Sequence, residues 1–425
     1  MNIPHPWITR WYTFLKAHPS LQTDLIKTLM DFDFHPDAEA DDEEYWRKVQ
    51  TLFPQPDGHF NLNHGGVSSQ AICVEQAYLH YYTLLNTSPS YFTWKVMEFV
   101  RTEIRNGLGI VMNADPSCIA LLRNATEALN NAIFGIPLKA GDEVVACRQD
   151  YIKCVSSWKQ REEREGIQIR WVDLKGTESN EEVIERYTEA FTPLTKVLHL
   201  THVINWNGMI LPVKEIIAEA HRRNIKVILD GAHSLGMLPV DIQELDCDYF
   251  GAALHKWLGG PVAAGVLYVK KEYIAETYAL ASALDPHSEA IQKFEEMSIQ
   301  VMPNWMALGF AIVLHLSLSR EAKERRLRYL CRLWVNAIKD LPGIVITAPL
   351  HDDQFAAFTA FRLEGMQPEE TERILFEKSR LHTVGFNWPN LDGVRITPNI
   401  YTPVEHLYQL TEGIRSLIFK TVPHE

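Results

Sequence analysis

Cysteine is scarce in this chain, and what there is lies scattered. Cys73, Cys118, Cys147, Cys154, Cys247 and Cys331 form no C-x-x-C pair. Neither a zinc site nor a redox dithiol is indicated, and the six read as reduced, mostly buried thiols of a cytoplasmic protein. Basic runs are missing too, and the net charge is −13. That balance excludes a binder of the phosphate backbone, so no nucleic-acid partner is expected. No apolar stretch reaches the length of a membrane span. The opening MNIPHPWITRWYTFLKAHPS has no cationic region ahead of an apolar core and a small-residue cleavage site, so no signal peptide is expected. No G-x-G-x-x-G follows a strand, which weakens a nicotinamide-dependent dehydrogenase.

What is present suits a large α/β domain with a smaller companion, since 425 residues exceed one simple core. The stretch from Ile225 to Tyr268 organises the rest. An apolar run, Ile225 to Leu229, ends on Asp230. A second, Tyr249 to Leu254, ends on His255-Lys256 and Gly259-Gly260, and a third begins at Ala264. All three read as buried strands. Two strands therefore deliver an ionisable residue at their carboxyl ends, where open α/β sheets bind ligands. A buried acid and a lysine in one pocket are what pyridoxal 5'-phosphate (PLP) chemistry needs. The lysine, Lys256, forms a Schiff base, and the acid, Asp230, keeps the pyridine nitrogen protonated so that the ring acts as an electron sink.

The motifs D-G-A-H-S-x-G-x-x-P-V-D, D-Y-F-G and L-H-K-W resemble those of the class V aminotransferase family of fold-type I PLP enzymes. Within it, the chain is most similar to the isopenicillin N epimerase-like branch, over roughly Asn61 to Leu417. The resemblance implies a mainly parallel, seven-stranded-type sheet in a large domain, 61–340. A small α+β C-terminal domain, 341–425, and a helical N-terminal extension, 1–60, complete the chain. The extension reads equally as a dimer arm. Strand and helix alternate from 117 to 269, as right-handed crossovers require. After Val269 the pattern turns helical through Ala283.

The same resemblance distributes the site along the chain. In F-N-L-N-H-G-G, Asn63 and His64 would stand at the mouth of the pocket and touch substrate. The strand Asp115 to Leu122 opens a helix at N-A-T-E-A-L-N, where free N–H groups and the helix dipole form an anion site. Ala125 and Thr126 are thus the phosphate donors, although the same run alone is also a good N-cap. Tyr151 occupies the family's place for a ring stacked on the cofactor, and desulfurases have histidine there. Asn205, in H-V-I-N, would bond the ring oxygen O3′, and His233 would lie near that oxygen or the Schiff base. His255 joins the phosphate cup. Ser298 stands in the family's F-E-x-G-T run, where the hydroxyl reaches the phosphate of the neighbouring subunit, which implies a homodimer with shared sites. Here Met297-Ser298 replaces Gly-Thr. Arg395, in V-R-I-T-P-N, matches the segment that holds the substrate α-carboxylate, a grip suited to a planar guanidinium.

The resemblance implies an enzyme acting at the α-carbon of an amino acid, epimerase-like or aminotransferase-like. Desulfurases need a nucleophilic cysteine shortly before that arginine, and none lies between Arg380 and Arg395. β-Elimination at a C–S bond remains an alternative, as does a PLP-binding protein whose catalysis has decayed.

Overall fold

The computed structural model describes residues 5–18, 21–55, 57–355 and 357–421. Its strands in chain order are β1 (Phe60–Asn61), β2 (Ile119–Leu122), β3 (Glu143–Cys147), β4 (Gln168–Val172), β5 (Thr195–Thr201), β6 (Lys226–Asp230) and β7 (Tyr249–Ala253). They continue with β8 (Gly265–Val269), β9 (Ile344–Ile346), β10 (Thr359–Leu363), β11 (Leu381–His382), β12 (Val384–Trp388) and β13 (Leu391–Ile396).

Seven strands form the central sheet in the order β2-β8-β7-β6-β5-β3-β4. Six of them run in one direction, and β8 alone lies antiparallel, between β7 and β2. Helices cover both faces, so the inner strands need apolar residues on both sides. That is why β7, and β3 after Glu143, read as unbroken small and apolar runs and are buried throughout. The edge strand β4 alternates exposed and covered positions instead. Parallel pairing sets Thr201 of β5 beside Asp230 of β6, and Asp230 beside Gly251 of β7. All three carboxyl ends thus open on one side.

A second sheet, β12-β13-β10-β9, is antiparallel. Helices Arg320–Ile338, Pro368–Ser379 and Val404–Thr421 pack near it. The chain reaches this sheet through an 80° bend between helices Met302–Leu318 and Arg320–Ile338. The first of these helices is apolar nearly all round and buried along most of its length, as a core helix must be. Among the described residues no single helix is long and apolar enough to cross a membrane.

The N-terminal helix Pro6–Ala17 packs its Trp7 and Trp11 into the same core. The helix Glu43–Gln50 ties onto the chain beyond the bend, where the buried Arg326 pairs with Glu43 at 2.5 Å. The expected helix through Ala283 is absent: only Lys271–Ile274 is α-helical. Tertiary bonds replace the local ones there, because Tyr278 N donates to Gly135 O and Leu280 N donates to Asn131 Oδ1. The helices Met302–Leu318 and Arg320–Ile338 are parted at Ser319, whose φ is 61°.

Candidate active site

Asp230 ends β6, and its Oδ1 accepts the Ala232 N–H at 2.8 Å. Burial raises its carboxyl pKa, while that bond and the nearby Lys256 oppose the rise. Three residues on, the turn Gly231–Ser234 brings His233 back over the strand end. Lys256 follows β7 on a turn closed by Gly260 N to Leu254 O at 2.7 Å. Its Nζ lies 3.1 Å from His233 Nε2. Burial, and then the charge of Arg395, draw its pKa down to about 8 against the pull of Asp230. A lysine held there has far more free amine at neutral pH than an exposed one.

Arg395 reaches this pocket from β13. Its Nη1 donates to Asn205 O at 2.6 Å and its Nη2 to Asn63 Oδ1 at 2.8 Å. Its Nε is buried without a partner. A guanidinium has five N–H groups, so three remain for a ligand. Burial lowers its pKa to about 10. Tyr151, at the N-cap of helix Ile152–Glu165, is 38% exposed and close enough for its hydroxyl to interact electrostatically with Arg395 and Asp230.

The helix Ala125–Gly135 starts beside the lysine turn. Asn124 caps it by accepting the Glu127 N–H at 2.9 Å. The first-turn amides of Ala125 and Thr126 have no preceding carbonyl in the helix to bond. The approach is close: a Cβ on Gly265 would stand 2.5 Å from the Asn124 carbonyl carbon. Gly265 pairs with Ala253 at the end of β7. His255 Nδ1 is 3.2 Å from Ala264 O, which anchors the same turn.

Lys256, His233, Asp230, Arg395, Asn63, Asn205 and Tyr151 are thus gathered from separate segments. His64 is placed differently. It is buried, with Nδ1 3.2 Å from both Asn61 Nδ2 and the Tyr401 hydroxyl. Ser298 is exposed, with φ 62°, between Met297 and Ile299, which line a cavity of about 220 Å³ with Arg123 and Ala263.

The sequence reasoning missed several groups at the pocket floor. A Cys154 sulfur, a His199 nitrogen and an Asp230 oxygen lie within 4.8 Å of one another. Asp150, one residue before Tyr151, accepts from Thr201 Oγ1 at 2.6 Å and from Cys147 N at 2.8 Å. Burial lifts its carboxyl to about 7. No motif marks these residues. Only the ends of adjacent parallel strands, where Thr201 and Asp230 sit side by side, hinted at them.

A family model described as aminotransferase class-V matches residues 61–383, and the chain belongs to that family. It is 25% identical over 351 residues to an isopenicillin N epimerase of Streptomyces clavuligerus, covering 78% of this chain and 88% of that protein. It is 30% identical over 288 residues to a cysteine desulfurase of Synechococcus elongatus, covering 64% of this chain and 44% of that protein. A cysteine desulfurase of Escherichia coli shares the fold, with a TM-score of 0.79 and 20% identity over 92% of this chain and all of that one. So does a cystine C–S lyase bound to cysteine persulfide, at 0.76 and 22% over 84% and 97%. The chain is therefore a PLP-dependent enzyme of class V, with the fold-type I architecture.

The residues present fit the cofactor. Asn205 Oδ1 and Arg395 Nε are buried and unpartnered, a lysine with a lowered pKa stands beside a buried acid, and an open helix N-terminus abuts the lysine turn.

Proposed function

We propose that the enzyme acts on the Cα–H bond of an amino acid, by epimerase-like or aminotransferase-like chemistry. The observation that carries this reading is Arg395. It is a buried guanidinium with free N–H groups, in electrostatic reach of the lysine. A desolvated guanidinium bonded only to a backbone carbonyl and an amide oxygen makes a site that an added anion relieves. An amino-acid carboxylate is such an anion.

In this reading Lys256 would hold PLP covalently, and Asp230 would pair with its pyridine nitrogen. His233 and Asn205 would serve the ring oxygen, Tyr151 would cover one face, and the Ala125 and Thr126 amides with His255 would hold the phosphate. When bound, PLP supplies an electron sink for the α-carbon. Arg395 would pin the substrate carboxylate and so fix how the α-carbon is presented to the lysine. Asn63 fixes the rotamer of Arg395 through Nη2. Lys256 is the amine positioned to take the α-proton, and burial keeps water from competing.

The relatives include cysteine desulfurases, whose reaction ends on a protein thiol. All six cysteines of this chain are buried. Cys154, the thiol nearest Asp230, is pushed well above its ordinary range by burial and by neighbouring acids. Thiolate is the nucleophile, so this sulfur is a poor acceptor. β-Elimination needs no protein thiol and is the second reading; lyases that act at sulfur occur among the relatives.

The enzyme is further proposed to be a homodimer in which Ser298 of one subunit approaches the phosphate of the other. Exposed apolar side chains support a partner face: Trp94 is 72% exposed, Ile299 63% and Val262 55%. Thr93 Oγ1 reaches Met302 Sδ at 3.1 Å, so the Trp94 turn and the 299–302 segment adjoin.

A panel of amino acids, read for keto-acid release, sulfide release and change of chirality, tests the reaction. Racemised substrate, or keto acid without sulfide, is the expected product. Sulfide released together with ammonia and a keto acid, in equal amounts, would replace this reading by elimination.

A further inference from the structure

Trp257 follows the lysine directly, and its indole is buried. Its Nε1–H donates to His233 Nδ1 at 3.3 Å. The other ring nitrogen, Nε2, is the atom 3.1 Å from Lys256 Nζ. Burial, then the charges of Lys256 and Arg395, drive the His233 pKa well below its ordinary value, so the ring is neutral. A neutral imidazole carries one N–H. The indole can only donate, so Nδ1 must be the acceptor and the proton must sit on Nε2. Nε2 is then a donor towards Lys256. An ammonium has no lone pair to receive it, whereas a free amine has one.

The geometry points to Trp257 as a positioning residue that fixes the His233 tautomer and, through it, holds Lys256 as the unprotonated, nucleophilic amine. Its meaning for catalysis rests on the proposed role of Lys256, but the relay itself does not. The groups that bear on the lysine are few. Asp230 from β6 favours the ammonium; Arg395 from β13 and burial favour the amine. The imidazole N–H adds to the second side. Packing alone does not account for the arrangement. Phe358 already stacks on Trp257, with ring centroids 5.8 Å apart and planes at 16°, and a phenylalanine at 257 could make that stack. Only an indole adds the N–H.

The test uses the full-length chain freed of cofactor, and competitive acetylation with acetic anhydride across a pH series. The extent of reaction at Lys256 is read from its peptide by mass spectrometry. Trp257→Phe should raise the midpoint for Lys256 by about one pH unit, a roughly tenfold loss of free amine near neutrality, because His233 can then turn its lone pair to the ammonium. Phe358→Leu disturbs the same packing but keeps the indole N–H, and should leave the midpoint in place. In wild-type protein labelled with 15N-histidine, the signal lost in His233→Gln should belong to a ring protonated at Nε2. An unshifted midpoint in Trp257→Phe overturns the proposal, and so does a protonated Nδ1 in wild type, which needs no folded variant at position 257. Borohydride reduction of the wild-type holoenzyme separates the two failures. Cofactor trapped on a different lysine removes the proposed function, while the acetylation midpoint still decides the relay.

Discussion

Asn63 and Arg395 lie 332 positions apart, and the side-chain oxygen of the first accepts a 2.8 Å hydrogen bond from Nη2 of the second. The loop after β1 and the strand β13 are held in register by that contact and by the parallel bridge between Asn63 and Thr397. Arg395→Lys keeps a cation but loses the planar fork and the pre-set geometry. Charge-assisted hydrogen bonds contribute about 1.5–3 kcal/mol each, so KM for amino acids should rise by about 30-fold or more. The absorption of the lysine-bound cofactor should not move. Efficient turnover of amino-acid amides would show that no carboxylate is gripped here.

Asp230→Asn separates the charge of this residue from its shape. An asparagine oxygen can still accept the Ala232 N–H, and the proposed phosphate site at Ala125 is untouched. Cofactor retention should therefore change by only a few-fold. On the proposed role of Asp230 at the pyridine nitrogen, losing its negative charge should cost about 3 kcal/mol in the barrier, or roughly 100-fold in kcat. Turnover at the wild-type rate would remove the electronic role.

Trp11 tests whether the N-terminal helix belongs to the core or merely rests on it. Its ring is fully buried, stacked between Trp7 at 5.8 Å and Phe14 at 5.4 Å, and pressed against Gly309, where a Cβ would collide with it. Trp11→Ala should cost about 3–5 kcal/mol in chemical denaturation and lower the single midpoint of the whole chain. An early, separate transition would instead mark a detachable arm.

The strands that end on Asp230 and Lys256 were legible because a parallel sheet covered on both faces writes itself as apolar runs. The first polar residue after such a run stands at the ligand edge. Arg395 was legible only through its motif, since a strand arginine alone does not say which face it serves. Trp257 carried no signal of function: a large apolar residue after a strand reads as packing, and its N–H acquires a role only when His233 is folded beside it. Asp150 and Thr201 were hidden for the same reason, as their bond joins the ends of strands 51 positions apart. The segment 275–283 was misread because its backbone bonds go to Gly135 and Asn131 rather than to itself. Local pattern cannot anticipate such partners.

Lys323 gives the fold a pH dependence whose sign can be worked out. The residue is buried on helix Arg320–Ile338, and its Nζ donates to Trp257 O at 2.9 Å and lies 2.9 Å from His315 Nδ1. The charged groups around it are few: its own neighbour Arg320 acts on His315, and no carboxylate lies among its bonds. Burial brings its pKa down from 10.5 to about 7. The native state therefore releases this proton near pH 7, whereas the unfolded chain keeps it until about pH 10.5. In that window the unfolded state binds more protons, so this group makes stability rise with pH. Its cost is fully present below the lower value and gone above the upper one. His315 is held well below its ordinary value by burial and by Lys323, so it acts in the same direction at lower pH, where unfolding lets it protonate. Lys323→Met removes the first contribution and leaves Trp257 O without its donor, a loss of about 1–3 kcal/mol that is independent of pH. Relative to the wild type, the variant should thus fare better at pH 6 than at pH 9, with the difference changing mostly above pH 7. Thermal denaturation of both proteins over a pH series reads this directly. Parallel curves would mean that Lys323 titrates alike in the folded and unfolded chains, and that the buried lysine beneath the Lys256 turn stays protonated.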